Sequence, residues 1–407
     1  MNSRKFFVLF MITLLTFGAY DALAGCEGCD GCDGTDTELK VFGQSRVRVN
    51  TSGFDFNSDT PLSWMTEMRT RIGIKAKANE KVGAFIQLQD ARILGVNPGL
   101  DFTNNNMQMH QGYFWYKPCE KGWLKAGRME LGLHNQRLIG TVGWHNTGRT
   151  FEGLMTGRQL NDNVSLALVA FQAAELFDAF DNDADGNPDA DPMFYGLNVN
   201  LAEQKVDLFF YYLLQQHLAN YGLMTFGAYT NNTFGAGMWY DAMFAMQSGS
   251  DDNLDYSGML LYLMLGKKFE NGFGLYGGVD YTTGDDDPTD TDCKEFNNLF
   301  YTGHKFRGAM DQFLAQPAAG LMDIFFGGKY AVNGKWTAGG VFHMFNAIED
   351  LNAAGDKNYG SEIDLFVKFA EEDFSWQTGL SMFTRSEDVY GASDAQNWIY
   401  SMATVNY

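Results

Sequence analysis

From Leu39 onward the chain alternates with a period of two. Leu39, Val41, Gly43, Ser45, Val47 and Val49 are apolar or small, and Lys40, Gln44, Arg46, Arg48 and Asn50 stand between them. The next segment repeats the pattern with swapped parity: Met68, Thr70, Ile72, Ile74 and Ala76 against Glu67, Arg69, Arg71, Lys75 and Lys77. Successive side chains of a strand point to opposite faces, so each segment predicts one apolar and one charged face. A soluble sandwich buries the apolar face against a second sheet, whereas a barrel with a wet lumen turns it toward lipid and keeps the charges inside.

The rest of the chain selects the second environment. Basic Met1-Asn2-Ser3-Arg4-Lys5, an apolar run from Phe6 to Tyr20 and the small stretch Ala22-Leu23-Ala24-Gly25 read as a secretory signal over residues 1–24. Its removal takes Arg4, Lys5 and Asp21 from 29 basic and 50 acidic residues, leaving 27 − 49 = −22, so nucleic acid is not an expected partner. No later segment reaches the roughly 18 consecutive apolar residues of a membrane helix. The closed barrel is then the remaining way to pair every backbone polar group in lipid. Aromatic content of 15%, 46 glycines and only 7 prolines suit such a wall.

Candidate strands follow near 39–50, 67–77, 82–93, 107–117, 122–131, 149–158, 164–172, 193–202 and 205–215, then 221–230, 234–248, 256–268, 272–283, 320–331, 335–346, 359–370, 373–384 and 397–407. Short connections such as Ala78–Lys81, Pro118–Lys121, Asn231–Thr233 and Glu371–Glu372 alternate with long ones, among them 94–106, 132–148, 173–192 and 284–319. Short periplasmic turns and long external loops are the rhythm of an outer-membrane barrel; Gln216–Asn220 alone breaks it. The chain ends on an alternating strand closed by the aromatic Tyr407. The predicted fold is all-β, a transmembrane antiparallel up-and-down barrel of about 18 strands over residues 39–407, after a Cys/Gly/Asp-rich periplasmic leader at 25–38.

Particular residues add a resemblance. Gly127-Arg128-Met129-Glu130-Leu131, Gln136-Arg137-Leu138-Ile139-Gly140 and Trp144-His145-Asn146-Thr147-Gly148-Arg149-Thr150-Phe151-Glu152-Gly153 resemble the signature of the alginate-export family of bacterial outer-membrane porins. Arg69-Thr70-Arg71-Ile72-Gly73, Gln87-Leu88-Gln89-Asp90-Ala91-Arg92, Asp280-Tyr281-Thr282-Thr283-Gly284-Asp285, Phe300 to Asp311 and Gly360 to Leu365 continue it, although Gly303 stands where the family often has Asn. The resemblance implies a monomeric barrel of 18 strands whose lumen is lined by arginine for a polyuronate.

The expected lining residues are Arg46, Arg48, Arg69, Arg71, Lys75, Gln87, Gln89, Asp90, Arg92, Lys125, Arg128, Glu130, Arg137 and Arg149. Guanidinium forks bind carboxylate or phosphate and set anion preference; in the rival reading they pair with Glu67, Asp90, Glu130 and Glu152. Asp181, Asp183, Asp185, Asn187 and Asp189, with Gly186, match the first part of a calcium loop, but Pro192 replaces the closing Glu; calcium and a solvated acidic loop are both open. Asp285, Asp286, Asp287, Asp290 and Asp292 form a second acidic loop without the glycine, read as a solvated external loop that divalent ions can bridge to lipopolysaccharide. Cys26 follows Leu23-Ala24-Gly25 as in a lipobox, so lipidation competes with ordinary cleavage, while Cys119 and Cys293 fall at opposite barrel ends and predict no bridge.

The six histidines have no nucleophile and acid near them in sequence, so an enzyme is not expected. No cofactor is required; the partners expected are lipid, lipopolysaccharide, the barrel-assembly machinery and a small or polysaccharide solute. The two functions consistent with this reading are a channel for small or polyanionic solutes and a calcium-stabilised surface-binding or adhesion barrel.

Overall fold

The computed structural model describes residues 37–52, 63–95, 107–173, 192–215, 220–391 and 395–407. Its wall opens with β1 (Glu38–Ser52), β2 (Ser63–Lys77), β3 (Val82–Ile93), β4 (Met107–Cys119), β5 (Gly122–Met129) and β6 (Phe151–Gln159). It continues with β7 (Val164–Gln172), β8 (Met193–Leu201), β9 (Val206–Gln215), β10 (Tyr221–Phe234), β11 (Met238–Ser250), β12 (Asp255–Lys268) and β13 (Phe273–Thr282). The two-residue β14 (Asp292–Cys293) runs parallel to the start of β12. Then come β15 (Leu321–Ala331), β16 (Trp336–Asn346), β17 (Asn358–Glu371), β18 (Phe374–Arg385) and β19 (Ala395–Asn406).

Wall strands pair antiparallel with their chain neighbours, β13 reaching β15 directly. The last strand returns to the first, from Gln44 opposite Asn406 to Asn50 opposite Tyr400. Of the nineteen strands among the described residues, all but β14 thus close into an antiparallel barrel of eighteen, which satisfies backbone donors and acceptors that lipid cannot.

The faces fall as the alternation requires. Leu39, Ile72 and Phe326 are at least half exposed, while Arg46, Arg69 and Gln89 on the opposite face are buried. Such a distribution inverts that of a water-soluble protein, in which charged groups stay outside. Aromatic contacts at the short-turn end, Trp336 with Phe369 and Phe369 with Phe374, form part of a rim of amphipathic rings.

One hairpin differs from expectation. Asn231, Asn232 and Thr233 remain in the ladder opposite Asp241, Tyr240 and Trp239, and the chain turns at Gly235-Ala236-Gly237. Ala236 and Gly237 carry φ values of 54° and 76°, and a Cβ on Gly237 would lie 2.3 Å from the Lys268 carbonyl oxygen. The glycine requirement of the tight turn overrides the turn preference of asparagine.

The larger difference concerns the loops expected outside. Residues 130–150 and 283–320 fold into the barrel and cross each other there, with Ile139 bridging to Phe300. Leu138, Ile139, Phe296, Tyr301 and Phe306 from these loops pack with Phe171, Phe194, Phe209, Tyr211, Met243, Tyr262 and Phe325 from the wall. Each such aromatic gains about 1.5–3 kcal/mol on burial, enough to hold a loop inside a lumen that would otherwise hold water. The apolar filling is thickest on the side bounded by β6 to β15; cavities with polar lining lie along β1 to β5 and β19, and others remain beside β9 to β12 and β11 to β17.

Candidate functional site: a loop clamped across the lumen

Register brings like charges together on the inner face of β1 and β2, where Arg46 stands opposite Arg69 and Arg48 opposite Glu67. Like charges directly opposite destabilise a sheet unless something compensates. The compensation comes from the loop between β5 and β6. Arg46 donates to the carbonyls of Gly143 and His145 at 2.9 and 3.1 Å, and Arg69 donates to the same two at 3.2 and 3.1 Å. Arg48 reaches the Trp144 carbonyl at 3.0 Å and Arg71 that of Thr147 at 3.1 Å. Four guanidinium groups thereby grip one short stretch of backbone.

Two carboxylates join them. Glu67 accepts from Arg48 Nε at 2.7 Å, and Glu130 accepts from Arg71 at 3.1 Å while facing His110 at 2.8 Å. Burial raises the Glu130 carboxyl, but His110 and Arg71 outweigh it and hold it below its ordinary value. Four arginines against these two acids leave 4 − 2 = +2 on this stretch of wall.

Trp144, at the loop tip, lies between a guanidinium and an imidazole. Arg48 sits 4.6 Å from its ring centroid, His304 stacks on it at 4.3 Å, and Tyr400 meets it edge-on at 5.0 Å. This arrangement borders a cavity of about 720 Å³ toward the long-loop end, also lined by Asn50, Glu67, Arg149, Asp311 and Trp398. Flat rings beside guanidinium forks suit a ligand that offers both ring faces and acid groups.

The far end of the loop is tied to the opposite wall. Arg137, with no exposed surface, forks onto Asp280 of β13 through Nε and Nη2 at 2.8 and 2.9 Å and donates to Asn298 at 2.9 Å. Asn135 donates to Asp241 of β11 at 2.9 Å, and Arg149 donates to the Tyr301 carbonyl at 3.1 Å. The second loop is held by Glu362 of β17, which accepts from the Met310 amide at 2.8 Å. Gly308 has φ 79° and a Cβ there would fall 2.6 Å from the Glu362 carboxylate, so only glycine lets the backbone close on that acid.

Arg46, Arg48, Arg69, Arg71, Lys75, Gln87, Gln89 and Lys125 therefore share the inner face, where Gln89 accepts from Arg71 at 2.7 Å. Glu130, Arg137 and Arg149 belong to the inserted loop and act as its ties. Arg128 pairs with Glu152 directly across from it and borders a smaller cavity with His110. Asp90 and Arg92 require correction: they stand opposite Thr70 and Met68, on the face of Leu88, and pair with each other. Strand parity separates them from Gln87 and Gln89 despite their place in the same short motif.

Residues Asp181, Asp183, Asp185, Asn187, Asp189 and Cys26 lie outside the described residues. In the second acidic loop Asp286 pairs with Lys294 at 2.6 Å and Asp287 accepts from Thr289. No group of three potential metal ligands is assembled among the described residues, and Cys119 and Cys293 are not bridged to each other. The isolation of the histidines in sequence does not carry into space: besides His110, His304 meets Asp311 at 3.0 Å and His343 meets Asp323 at 2.8 Å. Pairing across strands and loops is invisible to sequence proximity.

The barrel is similar to solved outer-membrane channels. OccAB4 of Acinetobacter baumannii superposes with a TM-score of 0.60 at 14% identity, over 92% of this chain and 99% of its own. OccK11 (OpdR) of Pseudomonas aeruginosa gives 0.61 at 12% identity, over 91% and 96%. OpdK of Pseudomonas aeruginosa, solved with vanillate, gives 0.60 at 10% identity, over 90% and 98%. At these identities the likeness is one of fold, a porin-type barrel. Curated proteins give no significant sequence match. A family model described as alginate export matches residues 65–315, which include the arginines of β2, the first inserted loop and most of the second. The chain belongs to the alginate-export family of outer-membrane barrels.

Proposed function

We propose that this barrel is an outer-membrane channel for small or polyanionic solutes, acidic saccharides such as a polyuronate among them, and that a guanidinium-lined inner wall sets its anion preference. The observation that carries the reading is that Arg46 and Arg69 are held by backbone carbonyls, which leave their charge uncancelled, so that four arginines facing only Glu67 and Glu130 keep the surplus of 4 − 2 = +2 on this wall. Lysines Lys40, Lys75, Lys77, Lys117 and Lys125 extend positive charge along the same side toward the short-turn end. Trp398, which lines the same cavity as Arg48 and Arg149, sets an aromatic ring beside those guanidinium groups where a sugar would pass. The fold relative OpdK was solved with vanillate, an aromatic carboxylate, which accords with anionic cargo.

Reversal potentials across planar bilayers in a salt gradient test this. Anion preference that weakens in Arg46→Gln/Arg69→Gln is expected; clear cation preference defeats the reading. A protein that inserts and never conducts would instead favour a surface-binding barrel.

A further inference from the structure

Away from the clamped loop, one charged surface has no assigned occupant. At the short-turn end, periplasmic in an outer-membrane barrel, a cavity of about 430 Å³ is walled by Lys40, Lys75, Lys77, Lys117 and Lys125 against Glu38 and Glu80, a balance of 5 − 2 = +3. Both acids are already engaged, Glu38 with Lys40 at 2.8 Å and Glu80 with Lys77. Lys75 instead lies over the Trp115 ring at 5.4 Å and Lys125 over that of Tyr113 at 5.5 Å. A concave surface with this surplus draws in a flexible polyanion.

The chain enters its own wall from that mouth. Strand β1 begins at Glu38, a lining residue of the cavity, so the preceding segment starts at the cavity's edge. Residues 26–36 read as a three-residue repeat: Cys26-Glu27-Gly28, Cys29-Asp30-Gly31, Cys32-Asp33-Gly34, then Thr35-Asp36. Residues 25–36 hold four acids and no lysine or arginine, a charge of −4 beside the +3 of the cavity. Three extended residues span roughly 10 Å, so successive carboxylates can address separate lysines, and a glycine in each of the three full repeats permits the backbone to fold back. A tether this short gives an effective concentration on the order of millimolar.

We infer that the acidic leader, residues 25–36, docks into the lysine cavity at the periplasmic mouth and competes there with anionic solutes. The contact is independent of which solute the barrel carries.

The test uses full-length protein, expressed with its own leader and isolated from outer membranes in detergent, its barrel verified by heat-modifiable mobility. In a Cys119→Ser background, Lys117→Cys places a thiol in the cavity and Cys32 supplies a natural partner. Mild oxidation is expected to give an intramolecular disulfide, mapped by mass spectrometry. Its yield should fall roughly threefold or more in 1 M salt, where screening shortens to about 3 Å. It should fall likewise when Glu27→Gln, Asp30→Asn, Asp33→Asn and Asp36→Asn neutralise the leader. A second measurement leaves the cavity intact: fluorescent polyaspartate should bind the neutralised-leader protein severalfold more tightly than the native one. The inference is overturned by a disulfide yield indifferent to leader charge, by equal polyaspartate affinities, or by a mature chain isolated without residues 25–36. Equal affinities would leave the cavity to polyanions from solution.

Discussion

Truncating Arg137 to alanine should free the inserted loop while leaving the wall intact. The guanidinium makes three hydrogen bonds with no exposed surface, two of them a fork onto Asp280, itself 2% exposed. Its loss strands Asp280 as a buried carboxylate whose nearest remaining cation, Arg307, lies 3.9 Å away. Breaking such a pair on one side costs about 3–5 kcal/mol. At about 1.4 kcal/mol per tenfold, the ratio of inserted to displaced loop falls by two to four orders of magnitude. The eighteen-strand ladder is untouched, so heat-modifiable mobility should stay that of the native protein. Single-channel conductance should rise, and trypsin should cut at Arg149, which the native fold half-buries. Removing both charges with Arg137→Met and Asp280→Leu should restore part of the protection, since no buried carboxylate is then stranded, while Arg307 loses its nearest acid. Native conductance and native protease resistance in Arg137→Ala would refute the claim that this tie holds the loop.

Three further outcomes are expected. His134, packed between Phe209 and Tyr229, is pushed down to about 4 by burial from an ordinary 6.5. A displaced loop therefore takes up a proton more readily, so the advantage of the inserted form is full above pH 6.5 and is lost as pH falls toward 4. Protease sensitivity of the loop should climb over that window and His134→Phe should flatten the response. Ile72→Arg, on the lipid face, should lower folding stability in bilayers by about 2–4 kcal/mol, whereas the same change in a soluble sandwich surface would cost little; unchanged urea unfolding would contradict the face assignment. Gly308→Ala should loosen the second loop, because the new methyl meets the Glu362 carboxylate, and hydrogen exchange at the Met310 amide should accelerate at least tenfold.

The wall was readable because a barrel in lipid repeats one rule along its length. Parity placed Arg46, Arg48, Arg69 and Arg71 on one face and Ile72 and Ile74 on the other, and no tertiary contact was needed to say so. The site was less readable for a physical reason: its geometry is made by loops that leave the wall. Loop lengths suggested external excursions, but their content argued otherwise. Leu131, Leu133, Leu138 and Ile139 in one, with Phe296, Phe300, Tyr301, Phe306 and Phe313 in the other, are more apolar than a solvated loop of that length needs. That signal could have placed them inside. What no pattern could supply is the pairing of Arg137 with Asp280, 143 residues apart. The Asp90 and Arg92 error came from following a motif across a strand whose two faces have different fates.

The nature of the acceptors on the arginine wall links structure to transport. Had Arg46, Arg48, Arg69 and Arg71 each met a carboxylate, the wall would be neutral and the loop would add nothing to it. Instead Arg48 and Arg71 share their donors between Glu67 or Glu130 and the carbonyls of Trp144 or Thr147, while Arg46 and Arg69 donate to the carbonyls of Gly143 and His145, and a carbonyl accepts hydrogen without removing charge. A solute carboxylate can form the stronger charge-assisted fork with the same guanidinium groups only by displacing those carbonyls. In the proposed channel, cargo recognition at this wall and movement of the 143–147 backbone are then one event. Arginine suits that exchange better than lysine, because its planar fork can trade two carbonyl oxygens for the two oxygens of one carboxylate with little rearrangement.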